Sequence, residues 1–206
     1  VSAVSDHATV LTFLGETNRQ EEFVREKLNG SVKDIILTMN GQAPTITKRR
    51  YVEAHPFQKL FELYVLEDGE PRANEVKRLT EKLGQILPDF DVVVVTDYGH
   101  GMIGPDAVEL LCSRARYLAV NSQVNAGNHG FNTISKYPRA DFICISETEI
   151  RMDARSRARD IQEIVVDLSS NLSCGAIIVT MGEMGNLCYS PEHGFSKYPE
   201  PFAEYH

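Results

Sequence analysis

The chain has 206 residues, a formal net charge of −8 and 42% hydrophobic residues. That is enough apolar material for a genuine core and fits a single domain, here taken as residues 1–206. The acidic balance argues against a protein that grips a nucleic-acid backbone. The four cysteines include no Cys-x-x-Cys pair and the six histidines show no ligand spacing. A zinc site or disulfide framework is therefore not expected, and reduced thiols suit a cytoplasmic protein. No signal peptide or membrane span is visible. The chain does not begin with Met and enters a strand almost at once, which suggests a segment of something longer.

In chain order, Ala8 to Leu14 reads as a strand ended by Gly15. Residues 18–28 read as a helix with Phe23, Val24 and Leu28 on its apolar side, stopped by Asn29-Gly30. A short strand from Asp34 to Leu37 leads to a turn signal at Asn40-Gly41. Two extended segments follow, Thr45 to Glu53 and Lys59 to Glu67, with His55-Pro56 between them. Neither alternates cleanly, so they read as edge strands, either a flap with one wet side or an ordinary hairpin.

A helix is expected from Pro71 to Leu87, with Val76, Leu79, Leu83, Ile86 and Leu87 on one face and Pro88 as its stop. The stretch from Asp91 to Gly101, DVVVVTDYGHG, is the centre of the chain. Its four valines suit a strand buried on both faces, and it breaks into a polar, glycine-punctuated turn. A helix opens at Pro105, a strand runs from Tyr117 to Val120 into Asn121-Ser122-Gln123, and residues 125–137 look irregular. Asp141 to Ile145 is a further strand, and Ser146 with Glu149 has the form of a capping box. The arginine-rich segment 151–159 reads as a solvated helix end or loop. A helix from Asp160 to Leu172 precedes the strand Ala176 to Thr180, a glycine turn, and a return strand from Asn186 to Tyr189. From Pro191 onward the chain reads as turn-like.

Strands alternating with helices between 91 and 180 predict an α/β fold built on a parallel sheet with helices over both faces. The carboxyl ends of such strands share one edge, where open α/β sheets place their ligands. Four turns fall there: TDYGHG, VNSQ, ISETE and VTMGEMG. Thr180-x-Gly182-x-x-Gly185 is a weak motif alone, but its glycines let backbone N–H groups approach a phosphate. Glu147 and Glu149 sit in a helix first turn, where they either cap the helix or hold water around Mg²⁺.

Thr45-Ile46-Thr47-Lys48-Arg49-Arg50, then VVVVTDYGHG, VNSQ, ISETE and VTMGEMG, stand in an order that resembles the ribokinase-type (PfkB) carbohydrate kinases. The resemblance is strongest to the heptose-7-phosphate kinase branch and covers nearly the whole chain. It implies a three-layer α/β/α fold with a small β-strand lid, here residues 45–67, and phosphoryl transfer from ATP to a sugar hydroxyl. By position it implies a nucleotide site at Thr180, Gly182, Glu183 and Gly185, with Asn121 and Cys144 nearby. Glu147 would serve Mg²⁺, and Lys48 and Arg50 would hold a phosphate carried by the sugar. Asp97 and His100 would face the sugar. The resemblance further implies a homodimer through the lid strands and a nucleotidyltransferase fused to the kinase as options.

Three positions depart from the pattern. Cys144 stands for a usual Asn, Asn121-Ser122-Gln123 for Asp-Pro-Lys, and His100 for Lys. The glycine-rich sugar strand that opens the family's fold and the Gly-Ala-Gly-Asp turn that carries its base are not found in the 206 residues, so no catalytic residue is assigned. The chain is expected to be an inactive middle portion of a kinase. The competing expectation is a non-catalytic nucleotide- or sugar-binding or oligomerisation domain of the same fold.

Overall fold

The computed structural model describes residues 5, 7–28, 32–38, 42–67 and 71–198. The turn signals at Asn29-Gly30 and Asn40-Gly41 and the stretch beyond Tyr198 lie outside the described residues. The chain divides into two compact units, Val1–Leu79 and Thr80–His206.

In the first unit, β1 (Ala8–Leu14) pairs in parallel with β2 (Val32–Thr38), with α1 (Glu21–Leu28) in the connection. The helix starts three residues later than the sequence suggests, because Asn18 and Gln20 adopt positive φ (47° and 54°), which no right-handed helix accommodates. Its expected apolar side is not covered either. No residue of α1 is buried, and Phe23 is 55% exposed with the Lys27 ammonium over its ring. The chain after β1 runs beside residues 43–45. Glu16 and Thr17 donate to the Ala43 carbonyl at 2.9 and 3.2 Å, and Thr45 Oγ1 accepts from Gly15 N at 3.0 Å.

The TITKRR segment then enters a hairpin of β3 (Thr47–Ala54) and β4 (Phe57–Val65), with a register shift between Tyr51 and Val52. The pairing sorts the side chains by face. Thr47, Arg49, Tyr51, Phe61, Leu63 and Val65 share one side, where the Tyr51 and Phe61 rings stack at 4.4 Å. Lys48, Arg50, Glu62 and Tyr64 share the other. One face is thus charged and wet, while the other mixes Thr47 and Arg49 with Tyr51, Phe61, Leu63 and Val65, which are each more than a third exposed.

Helix α2 (Ala73–Ile86) begins after the Glu75 carboxylate accepts from Arg72 N at 2.9 Å, and it tightens into a 3-10 turn at Leu87–Asp89 around Pro88. The second unit is a six-stranded sheet in the order β10-β9-β8-β7-β6-β5. Strands β5 (Val93–Asp97), β6 (Leu118–Ser122), β7 (Phe142–Ser146) and β8 (Ala176–Thr180) are parallel, and β9 (Asn186–Ser190) and β10 (Gly194–Tyr198) continue antiparallel. Helix α3 (Pro105–Arg114) crosses from β5 to β6 and helices α4 (Glu147–Asp153) and α5 (Ile161–Asn171) from β7 to β8, while β6 reaches β7 through a connection whose one helical piece is the 3-10 turn Ile134–Lys136.

Register places Val120, Ile143 and Ile177 side by side, with Ile145, Val179 and Leu187 as the next row toward the carboxyl ends, all fully or nearly fully buried. Val108 and Leu111 of α3, Ile150 of α4 and Ile164, Val165 and Leu168 of α5 complete the core. Two expectations change. The valine strand β5 is the last strand of its sheet, and its residues alternate, with Val95 buried and Val92 and Val94 more than half exposed. The stretch from Pro191 is a three-residue turn followed by β10, with Phe195 against Tyr189 at 4.5 Å. A five-residue antiparallel return of mixed polarity carries little local signal.

Candidate functional site at the carboxyl rim of the parallel sheet

The four turns singled out in the sequence all leave the carboxyl ends of β5 to β8, four adjacent parallel strands. Hydrogen bonds join neighbouring turns. Gln123 N donates to the Asp97 carbonyl at 2.8 Å, Asn121 Nδ2 to the Cys144 carbonyl at 2.8 Å, and Val124 N to Glu149 Oε1 at 3.1 Å. Ser146 and Thr180 are register partners, which sets the α4 start beside the glycine turn.

Asp97 is 3% exposed and its carboxylate is occupied from three directions. Tyr137 Oη donates at 2.6 Å, the Lys136 ammonium lies at 2.5 Å, and Gly99 N donates at 2.9 Å. Burial, followed by the Asp97 charge, pushes the Tyr137 phenol well above its ordinary range, so it stays a donor. Lys136 also donates to Asn132 Oδ1 at 2.7 Å and to the Ile103 carbonyl at 3.1 Å. A role for Asp97 in the site therefore runs through the turn that it holds. That turn is tight. Gly99 has φ of +65°, and a Cβ there would stand 2.5 Å from Asn132 Cβ and 2.7 Å from Asn128 Nδ2. His100 is half-buried with its ring parallel to Tyr98 at 6.1 Å.

The irregular-looking segment 125–137 is the frame behind this turn. Asn128 Nδ2 donates to the carbonyls of Tyr98 and Gln123, and Asn132 Nδ2 to those of Asp97 and Gln123. Three asparagines, at 125, 128 and 132, thus replace regular structure with side-chain bonds. Their spacing is the one sequence signal that marks them. A groove of about 720 Å³ lies on the α3 side of this frame, lined by Ile103, Val108, Phe131 and Lys136 among others. None of the residues assigned from the sequence lines it.

At the start of α4 the capping box is formed as expected. Ser146 Oγ accepts from Glu149 N at 3.3 Å, and Glu149 Oε2 accepts from Ser146 N at 3.0 Å. Glu147 is half-buried and takes Arg151 Nε on one oxygen at 2.8 Å. No cluster of three or more His, Cys, Asp or Glu side chains suited to a metal occurs among the described residues. One partly free carboxylate fits a Mg²⁺ that takes its remaining ligands from water and phosphate, and does not fit an ion caged by protein alone. Burial, followed by the nearby Cys188 and Glu149, raises the Cys144 thiol, which keeps it neutral.

The turn after β8 closes on itself. Met181 N donates to the Gly185 carbonyl at 2.8 Å, Gly185 N to Gly182 at 2.9 Å, and Met184 N to Met181 at 3.1 Å. The N–H groups of Gly182 and Glu183, at the start of the turn, lie outside these bonds. Gly182 (φ +56°) and Gly185 (φ +79°, ψ −137°) both hold backbone that favours glycine. Thr180, Gly182 and Glu183 are exposed, while Gly185 is buried.

Lys48 and Arg50 lie in the first unit, on the wet face of the hairpin. Lys48, Arg50 and Lys59 all reach the Glu62 carboxylate, at 3.1, 3.0 and 3.0 Å. Desolvation pulls the Glu62 pKa up, but the bonds from Lys59, Arg50 and Lys48 outweigh it and bring it down to about 2. The sign follows from linkage: a depressed carboxylate adds stability above its unfolded pKa and loses it as pH falls through the folded one. A carbon-detected titration of Glu62 should therefore show a midpoint near pH 2, and the cluster's contribution to the hairpin should fade progressively as pH drops from the ordinary glutamate value to that midpoint. A midpoint at an ordinary glutamate value would dissolve the cluster.

Sheet order, parallel crossovers and a rim of joined turns define the class: this is the fold of the ribokinase-like sugar kinases. Phosphofructokinase-2 from Escherichia coli, solved in complex with fructose-6-phosphate, superposes with a TM-score of 0.72 at 13% identity over 96% of this chain and 64% of that one. Ribokinase from Giardia lamblia gives 0.68 at 19% identity over 92% and 62%. In sequence, the chain is similar to the bifunctional protein HldE of Azotobacter vinelandii, 26% identical over 196 residues, 94% of this chain and 39% of that protein. HldE of Chromohalobacter salexigens is 28% identical over 189 residues, 90% of this chain and 37% of that protein. The chain thus spans about two-fifths of the length of these relatives. No protein-family model matches it. Among the described residues, no helix is long and apolar enough to cross a membrane.

Proposed function

We propose that this chain is the nucleotide- and sugar-handling part of an ATP-dependent sugar kinase whose acceptor is a sugar phosphate of the heptose type. The observation that carries the reading is the rim itself. Four turns from four adjacent parallel strands meet at the carboxyl edge, in a chain similar to HldE along 94% of its length. Phosphoryl transfer asks a protein mainly for positioning and charge neutralisation, and joined turns serve that purpose. In this reading the nucleotide lies along Thr180, Gly182, Glu183 and Gly185, with Asn121 and Cys144 behind it. Glu147 faces Mg²⁺, which neutralises phosphate charge when bound. His100 and the turn held by Asp97 face the sugar, and Lys48 and Arg50 are the candidates for binding a sugar-borne phosphate. The whole protein would act in the cytoplasm, pair through its hairpins and carry a nucleotidyltransferase as its second activity.

The test is calorimetry of the complete protein with ATP-Mg²⁺, then a coupled phosphorylation assay across sugars and sugar phosphates. No nucleotide binding would overturn the proposal. Gly182→Val should weaken nucleotide binding by about tenfold or more, because a branched residue at positive φ shifts the turn and blocks backbone approach. A Cβ at Gly182 meets no protein atom within 4 Å, so the fold itself should survive. Unchanged affinity would remove the glycine turn from the site.

A second reading, binding without turnover, is favoured by the commitment of Asn121 to the Cys144 carbonyl and of Asp97 to Tyr137 and Lys136. ATP binding with no phosphorylated product from any sugar would select it.

A further inference from the structure

The ladder between β6 and β7 is short. Its register partners are Ala119 with Phe142 and Val120 with Ile143, and the pairing stops there. On the flanking sides the ladders continue to the rim, through Asp97 with Ser122 and Ser146 with Thr180. The two strands at the middle of the rim therefore part before their neighbours do, leaving a crevice that backbone bonds do not close. Two side chains bridge it. Asn121 Nδ2 reaches the Cys144 carbonyl low in the gap, and above it Glu149 reaches Val124 N.

Glu149 does this while also serving the helix cap. Its Oε2 accepts from Ser146 N at 3.0 Å and from Ser146 Oγ at 2.6 Å, and its Oε1 accepts from Val124 N at 3.1 Å. One carboxylate thus ties together segments 25 residues apart in sequence. A cap needs only the first oxygen. The second has a separate job, and it fixes the 121–124 turn relative to the first turn of α4, where Glu147 stands.

The geometry points to Glu149 as a positioning residue that sets the width of the β6–β7 crevice and holds Glu147 at a fixed distance from the 121–124 turn. It acts through its neighbours and touches no reacting atom. The inference rests on the kinase reading for its consequence, that phosphates seated in the crevice meet Glu147 at a set distance. Its structural half stands on the hydrogen bonds alone.

The test uses the complete protein with Glu149→Ala, Glu149→Gln and Ser146→Ala. Ser146→Ala weakens the cap but leaves the bond to Val124, so it separates loss of stability from loss of position. Amide hydrogen exchange across residues 121–125 should quicken by about tenfold in Glu149→Ala, the equivalent of one lost hydrogen bond, and stay unchanged in Ser146→Ala. Glu149→Gln keeps one acceptor oxygen and should recover part of the protection. In turnover with ATP-Mg²⁺, Glu149→Ala should lower kcat with the sugar KM little changed, and Ser146→Ala, which removes one bond to the same carboxylate, should lower it by a smaller factor. Wild-type exchange rates in Glu149→Ala, or equal kcat losses in Glu149→Ala and Ser146→Ala, would overturn the role. If the wild-type protein transfers no phosphate at all, the kinase reading fails, and the exchange pattern still decides whether Glu149 is the clasp.

Discussion

Asp97→Asn is expected to destabilise the second unit by about 3 kcal/mol, the lower end of the range for breaking a buried ion pair from one side. The cost arises in the partners left behind. The Lys136 ammonium, about a quarter exposed, would lose its anion while still held by Asn132 and the Ile103 carbonyl. The Tyr137 hydroxyl, in a fully buried side chain, would donate to a neutral amide in place of a carboxylate. The amide nitrogen would also point a donor at donors. Tyr137→Phe keeps the ring and removes one bond, so it should cost about 1–2 kcal/mol. Urea unfolding of the complete protein, completed as a double-mutant cycle, should give a coupling near the smaller value. An additive cycle would mean that the two side chains act independently. Because the carboxylate also holds Gly99 N, nucleotide or sugar affinity should, on the proposed kinase reading, fall in Asp97→Asn through the displaced turn.

Gly15→Ala should be at least as damaging, in the first unit. A Cβ at Gly15 would stand 2.1 Å from Pro44 C and 2.1 Å from Thr45 N, and backbone atoms cannot swing aside as a side chain can. The strand end would have to part from residues 43–45, losing the bonds from Glu16 and Thr17 to the Ala43 carbonyl and the one from Gly15 N to Thr45 Oγ1. We expect a loss of about 3 kcal/mol or more, the upper end for overpacking. Circular dichroism and thermal unfolding would measure it, and a transition within a degree of wild type would refute the close approach. Thr45 opens the TITKRR segment, so the same variant should also loosen the entry to the hairpin.

Much of the molecule was legible one segment at a time. The strand Ala176–Thr180 has the bounds that its β-branched run suggests, the Pro105 helix starts where a proline at a first turn puts it, and Ser146 with Glu149 forms the cap that their spacing implies. The joining of the four rim turns also follows from alternation alone, because parallel crossovers leave every strand pointing the same way. The failures share a cause. Phe23 looked like core and is exposed, Val94 looked doubly buried and sits on the last strand of its sheet, and β10 looked like a turn. Each depends on what lies beside the segment, which its own periodicity does not encode.

Composition, periodicity and turn chemistry by themselves determined an α/β chain with a parallel sheet and a polar rim, since these arise from interactions within a few residues. Only the tertiary structure decided how the rim side chains are spent. Asp97 is consumed by Tyr137, 40 residues away, Asn132 closes on the Asp97 carbonyl from 35, and Glu149 spans the crevice to Val124 from 25. A carboxylate in a sequence is equally a ligand, a cap or a fastener, and the donors that reach it settle which.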